Sequence, residues 1–207
     1  MTARSLLLVT SALALLAASC VTSPKDGRPR GRTSQSQGPW LEPSPALALS
    51  IEENAKKLPW THDEDRVEMI RWFASVGEPA YPTLLELAQD PRRDVAGAAL
   101  AALGATQDSR LVEHIKKVSM PKDLPIDLKL ERSRTLLRLG DWSGVPELID
   151  GLEHQSTWVR ALSARTLWEG THEKFGYDPQ GRGENRAAAV ARWRRGWQSR
   201  QDDVIRK

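Results

Sequence analysis

Apolar positions in the middle of the chain recur at helical spacing, and the whole pattern occurs twice. A set of apolar residues between positions 82 and 103 returns in the same order between positions 146 and 167, mostly as apolar or small residues. The first set is Pro82, Leu84, Leu85, Val95, Ala99, Ala102 and Leu103, and the second is Pro146, Leu148, Ile149, Val159, Ser163, Thr166 and Leu167. In each set two amphipathic segments flank a polar turn. The pattern predicts a helical hairpin that repeats along the chain.

The same kind of pattern continues on both sides of this stretch and predicts about four hairpins. They cover residues 46–77, 78–104, 111–140 and 143–169, with glycine or proline near the helix ends. Each hairpin has an apolar face that it cannot cover alone, so we expect the hairpins to stack. The predicted fold class is therefore all-α, a short α-solenoid within a domain of residues 46–200. Thr61 is expected to cap the second helix of the first hairpin.

A separate helix is predicted near the end of the domain, over Glu184–Ser199. Its spacing puts Trp193 and Trp197 on one side, which we expect to seal the open end of the stack. The turn-rich connection before it contains Tyr177 and Asp178. Loop anchoring and helix capping is the favoured interpretation of these two residues, and a ligand site is the alternative. Residues 201–207 are predicted to form a tail.

The first residues have the organisation of an export signal. Arg4 precedes an apolar run, and small residues lead to Cys20, the only cysteine of the chain. The junction resembles a bacterial lipobox, which implies a signal peptide at residues 1–19 and a lipidated Cys20 that anchors the mature protein to a membrane. The alternative is plain secretory cleavage that leaves a free thiol. Val21 after the cysteine, rather than aspartate, favours the periplasmic side of the outer membrane over the inner membrane.

Residues 20–45 are predicted to be a disordered linker, because they are rich in proline, serine and arginine and have no apolar period. The basic residues in it could contact anionic lipid head groups or simply keep the segment soluble. Trp40 lies near its end. The sequence leaves open whether this side chain docks on the domain or sits at a membrane interface.

Two stretches carry a family resemblance. DVAGAALAALG at 94–104 and VRALSARTL at 159–167, each preceded by a proline-containing helix, resemble HEAT repeats of the short bacterial type. The resemblance implies a surface for binding another protein, with the second helix of each hairpin on the concave side. It places Arg132 and Arg160 there, and a basic inner stripe suited to an acidic peptide or polymer would consist of Arg93, Lys129, Arg132, Arg160 and Arg165. The alternative is that Arg132 and Arg160 pair with acidic residues of neighbouring hairpins and only bridge the stack.

Charge is distributed unevenly along the chain. Residues 46–181 hold 17 Lys and Arg against 22 Asp and Glu, a net charge of −5, whereas residues 182–207 hold 8 against 3, a net charge of +5. Arginines beside tryptophans in the last helix could suggest nucleic-acid binding. The export signal argues against that class, and favours membrane-surface contact or docking on the acidic part of the domain.

Candidate catalytic chemistry is sparse. The four histidines, His62, His114, His154 and His172, have no paired metal-ligand spacing, and the one cysteine is already a candidate for lipidation. We therefore expect no enzyme activity, no metal, no cofactor and no small-molecule substrate. The predicted function is a lipid-anchored scaffold of the cell envelope that binds another envelope protein. The alternatives are a structural envelope component and a non-catalytic accessory subunit of an envelope enzyme.

Overall fold

The computed structural model describes residues 39–119 and 124–205, with side chains described up to Gln201. The predicted signal peptide, Cys20 and most of the predicted linker lie outside the described residues. The described part is all-α, with nine helices and no strand. The helices are α1 Pro45–Lys57, α2 Asp63–Val76, α3 Tyr81–Leu87, α4 Arg93–Ala105, α5 Val112–Lys117, α6 Ile126–Arg138, α7 Val145–Gly151, α8 Thr157–Thr171 and α9 Gly183–Ile205. None of the helices in this part is both long and apolar enough to cross a membrane.

The entry into each short helix is built in the same way. A 3₁₀ turn directly precedes α3, α5 and α7, at Glu78–Ala80, Ser109–Leu111 and Trp142–Gly144. Just before each turn the backbone takes a positive φ, +70° at Gly77, +56° at Gln107 and +89° at Gly140. Glycine adopts such a φ without steric cost, which explains two of the three residues. This combination of a positive φ and a 3₁₀ turn precedes three successive hairpins, which begin with α3, α5 and α7. The sequence repeat that begins at Pro82 and returns at Pro146 therefore matches the first and the third of these hairpins but not the second.

The helices contact one another in a linear order. Within hairpins α3 packs on α4, α5 on α6 and α7 on α8. Between hairpins α2 packs on α4, α4 on α6 and α6 on α8, while α1 contacts α3 and α9 contacts α7. Small side chains allow the close contact of α4 and α6, where the Thr135 hydroxyl donates to the Leu100 carbonyl at 2.9 Å. The even-numbered helices α2, α4, α6 and α8 therefore form a row in which each helix contacts the next.

Helix α6 joins two hydrophobic clusters. Its residues Leu128 and Leu136 belong to the cluster formed with α2, α3 and α4, and Leu130 and Leu137 belong to the cluster formed with α7, α8 and α9. Both sides of α6 are consequently buried, and the hydroxyl-bearing residue Ser133 lies inside as well.

Three local features were left open or misplaced by the sequence pattern. Trp40 is 8% exposed and packs edge-on against Tyr81, with ring centroids 4.9 Å apart, so its side chain docks on the domain. Thr61 does not cap α2, because the helix begins at Asp63 and the Thr61 hydroxyl donates to the Leu58 carbonyl at 2.7 Å. Helix α9 continues to Ile205 and so includes most of the predicted tail.

Candidate functional site

The residues of the predicted basic stripe all have partners within the chain. Arg93 lies 3.5 Å from the Asp127 carboxylate, and Lys129 forms an ion pair with Glu147. Arg165 donates from Nε to Glu169 at 2.9 Å, one turn further along α8. A ligand for these cations would have to compete with carboxylates that are already in place.

Arg132 and Arg160 bind main-chain carbonyls instead of carboxylates. Arg132 donates from Nη2 to the Lys116 carbonyl at 2.9 Å, at the C-terminal end of α5. Arg160 is 7% exposed and donates to the carbonyls of His154 at 2.8 Å and Pro179 at 2.9 Å, among other acceptors. Helix ends and turns leave such carbonyls without helical partners, and a guanidinium can satisfy several of them at once.

Of the four predicted C-terminal residues, Tyr177 and Asp178 lie in the loop between α8 and α9, and Trp193 and Trp197 lie on α9. The Tyr177 hydroxyl donates to the Leu152 carbonyl, and burial raises the pKa of Tyr177. Asp178 accepts from the Gln180 amide at 2.9 Å, which closes a turn within the loop. Trp193 is buried against Phe175 at 4.8 Å, and Trp197 stacks on Trp142 with an interplanar angle of 12°. These contacts attach the loop and α9 to α7 and to the turn before it.

A charged cluster that the sequence did not reveal lies between α6 and α8. Glu169 accepts from Arg134 at 3.1 Å, Arg138 at 3.0 Å and Arg165 at 2.9 Å. Burial pushes the pKa of Glu169 upward, but the three arginines outweigh it and the pKa is lowered. Glu131, 3.6 Å from Arg134, has a raised pKa because burial dominates there. In the sequence, the sign of this cluster is Glu131, which stands where the repeat pattern would place an apolar residue.

A large open groove lies between α1 and α3. It has a volume of about 830 Å³, and the partly exposed Pro79 and the buried Ile51 contribute to its apolar lining. Trp60, on the 3₁₀ turn after α1, lines it and is 79% exposed. A second depression of about 520 Å³ shares Pro43 and Pro79 with the first and extends the groove past Trp40.

Carboxylates outnumber cations along this groove. The charged residues that line the two depressions are Glu42, Glu52, Glu86, Asp90, Lys56 and Arg92, a net charge of −2. Lys56 pairs with Glu52 at 2.5 Å and Arg92 pairs with Asp90 at 2.6 Å, so both cations are already compensated. The groove thus combines an apolar lining with a negative rim.

The groove has no local signature in the sequence. Nearly all of its lining residues come from α1 with the segments before and after it, and from α3 with the turns on either side, two parts of the chain that are separated by α2. The sequence leaves open whether Trp40 docks on the domain or sits at a membrane interface, and it assigns no role to Trp60. The sequence feature that could have indicated a groove here is the presence of several prolines near Trp40 and Trp60.

No protein-family model, no curated protein and no solved structure matches the chain. Among the described residues no group of three or more His, Cys, Asp or Glu side chains could hold a metal ion. Interpretation of the function therefore depends on the sequence pattern and on the surfaces described above.

Proposed function

We propose that the protein is a lipid-anchored scaffold of the cell envelope, in which a short HEAT-like α-solenoid binds a segment of another envelope protein. The binding surface in this proposal is the groove between α1 and α3. The single observation that carries it is Trp60, a large aromatic side chain that is 79% exposed beside a groove of about 830 Å³. Aromatic residues that become buried on association are frequent centres of protein interfaces.

The solenoid part of the proposal is supported by the order of helix contacts. The even-numbered helices α2, α4, α6 and α8 touch in series, and each short helix packs on the long helix that follows it. Contacts between neighbouring hairpins are the defining property of repeat architectures. The recurring positive φ before each 3₁₀ turn, at Gly77, Gln107 and Gly140, is a second repeat signal. The HEAT resemblance itself rests on the residues of α4 and α8 quoted above.

The anchor part rests on the sequence from Met1 to Cys20, with Cys20 as the lipidated residue. A lipid anchor would keep the solenoid beside the membrane without a spanning helix. An envelope partner is the binding target that agrees with such a location.

The groove is a better binding surface than the basic stripe for an energetic reason. Displacing Arg160 from its carbonyls would leave buried polar groups unpaired, which costs about 1–3 kcal/mol per group. Covering Trp60 breaks no hydrogen bond to another described residue and removes apolar surface from water. Because the rim carries a net charge of −2, the proposed ligand is a cationic, partly apolar peptide segment.

Site-specific photo-cross-linking in intact cells tests the proposal. A photoreactive amino acid placed at position 60 should give one reproducible cross-linked envelope protein, and the same group at position 158, on the exposed side of α8, should not capture that protein. Trp60→Ala should weaken binding of a basic peptide from the captured protein at least tenfold, whereas Trp158→Ala should not.

Two outcomes would contradict the proposal. One is equal capture of the same protein from positions 60 and 158, which would indicate non-specific proximity. The other is a cross-link from position 60 only to residues of the same chain, which would mean that the groove is filled internally. In the second case the structural-component interpretation becomes the better one.

A further inference from the structure

The described part of the chain begins at the edge of the groove between α1 and α3. Pro39, the first described residue, lines the second depression, which is continuous with the first one through Pro43 and Pro79. The groove then follows α1 as far as Trp60, on the turn after that helix. The residues that precede Pro39 are therefore joined to the folded part beside the groove itself.

The segment that is joined there, residues 22–38, has the chemistry of the ligand proposed for the groove. Its sequence is TSPKDGRPRGRTSQSQG, with two prolines and with four cations against one carboxylate, a net charge of +3. The cations are Lys25, Arg28, Arg30 and Arg32. A cationic, partly apolar peptide is thus already attached to the rim of the groove.

The groove offers negative charge to such a segment. The charged residues that line it sum to −2, and its two cations, Lys56 and Arg92, each pair with a carboxylate of the same lining. Glu86 lines both depressions, is exposed and forms no ion pair with another described residue. Charges of opposite sign on the segment and on the groove favour their association.

The apolar part of the groove suits an extended chain that contains proline. Such chains adopt an extended helix with unpaired carbonyls, and their proline rings dock on aromatic side chains. Trp60 is 79% exposed and its indole N–H donates to no described residue, so the ring and the donor can both be used by a ligand. Strand addition is the other common way to bind an extended segment, and the part of the chain that the structure describes contains no strand to which one could be added.

The segment is long enough to reach Trp60. Helix α1 has 13 residues and is about 20 Å long at 1.5 Å per residue. The 17 residues of the segment span up to about 55 Å when extended, at about 3.3 Å per residue. The segment can therefore turn back at the edge of the groove and follow α1 to its end, with more than half of its length to spare.

We propose that residues 22–38 bind in the groove of the same molecule, with a proline on Trp60 and cations near Glu86, and compete there with the segment of the partner. The competition rests on the proposed function, whereas the contact between segment and groove does not. A tethered segment has an effective concentration in the millimolar range, so even a Kd of about 1 mM would keep much of the groove occupied. Binding of the partner would then be weakened several-fold.

An anisotropy titration with a fluorescein-labelled peptide of residues 22–38 tests the contact. The receptor is the full chain with Cys20→Ser and with the four cations of its own segment changed to serine, used at up to about 1 mM. The peptide should bind, and binding should weaken as salt screens the charges. Trp60→Ala and Glu86→Gln should each weaken it at least threefold. Trp158→Ala, which changes an exposed tryptophan on α8, is the matched control and should leave it unchanged.

Cross-linking from position 60 distinguishes binding within one molecule from binding between two. The full chain with Cys20→Ser and a photoreactive amino acid at position 60 is irradiated at about 1 µM, where weak association between molecules is negligible. A cross-link to residues 22–38 at the mass of one chain is expected. A product found only at the mass of two chains would overturn the intramolecular arrangement.

Two results would overturn the contact and leave the proposed partner untouched. One is a peptide of residues 22–38 that does not bind, and the other is binding that Trp60→Ala leaves unchanged. The four changes to serine should also strengthen binding of the basic peptide from the captured protein at least threefold, and equal affinity would overturn the competition. If position 60 captures no envelope protein even in that variant, the proposed function fails and the competition with it, while the labelled peptide alone decides the contact.

Discussion

Arg160 of α8 and Pro179 of the following loop are joined by a hydrogen bond of 2.9 Å between Arg160 Nε and the Pro179 carbonyl. The same guanidinium reaches the carbonyls of His154 and Gln155 and the hydroxyl of Thr157, at 2.7–2.8 Å. One buried cation therefore holds together the turn before α8, the start of α8 and the loop that leads to α9. This use of arginine is architectural.

Replacing Arg160 should destabilise the fold without affecting the groove. Arg160→Ala leaves several buried carbonyls without a donor, so we expect a loss of about 2–4 kcal/mol in the free energy of unfolding. Arg160→Lys should recover little of this loss, because an ammonium cannot reproduce the planar fork of donors. Urea unfolding followed by circular dichroism measures both. Unchanged stability in Arg160→Ala, together with lost binding of the partner peptide, would restore the basic-stripe interpretation.

Replacement by alanine should change the free energy of unfolding in opposite directions at two glycines, Gly144 and Gly97. A Cβ at Gly144 would lie 2.8 Å from Ser133 Cβ and 2.9 Å from Ser133 Cα, so the turn before α7 would have to move away from α6. We expect Gly144→Ala to cost about 1–3 kcal/mol, the usual range for overpacking. At Gly97, inside α4, the nearest atom is 3.9 Å away, and alanine should stabilise by about 0.5–1 kcal/mol. Thermal unfolding of the two variants compares them directly, and a loss of stability in both would contradict the packing of α4.

Two carboxyl groups of the α6–α8 cluster should give pH effects of opposite sign. Burial raises the pKa of Glu131 above its ordinary value of 4.5, so the folded state holds this proton more tightly than the unfolded state. Stability from this group is therefore lost as pH rises through the folded pKa. Glu131→Gln should raise stability at pH 7 relative to the unmodified protein, and the difference should shrink as the solution is acidified below that pKa.

Glu169 provides the matched comparison. Its pKa is lowered because the arginines outweigh burial, so its contribution is present above pH 4.5 and is lost as pH falls through the folded pKa. Glu169→Gln should destabilise at pH 7, with the difference disappearing in acid. Urea unfolding at a series of pH values measures both profiles. Profiles of the same sign for the two variants would contradict the burial of Glu131.

Trp40 and Trp60 should differ sharply in their contribution to stability. Trp40 is 8% exposed, packs against Tyr81 and His114, and has the Arg110 guanidinium 5.4 Å from its ring centre. Trp40→Ala should cost about 3–5 kcal/mol, as for other buried aromatic residues. Trp60→Ala should change stability by less than about 0.5 kcal/mol, because its side chain is mostly in water. Equal effects in thermal unfolding would contradict the docking of Trp40.

The helical hairpins could be predicted from the sequence because helix formation has a local signature. Apolar positions three and four residues apart, with Pro82 and Pro146 near helix starts, located α3, α4, α7 and α8 closely. The all-α class follows from the same signal. Helix ends were less predictable, since Thr61 can satisfy either a helix start or, as observed, the Leu58 carbonyl of the preceding turn.

The candidate binding surfaces depended on tertiary structure. The sequence predicted Arg160 and Arg165 as part of a basic stripe, because the sequence does not indicate which carbonyl or carboxylate a given arginine will bind in the folded protein. The groove beside Trp60 and the docking of Trp40 on Tyr81 join positions that are far apart in the chain, and no local period encodes such contacts.

By itself the sequence determined where the chain is helical and which sides of the helices are apolar, because backbone hydrogen bonding and apolar spacing act over a few residues. Only the tertiary structure decided which apolar sides are covered, which cations are compensated and which tryptophans remain in water. Those outcomes depend on how helices that are distant in the chain pack together. The interior has room for only some of the apolar side chains, and the sequence alone does not indicate which of them will be buried.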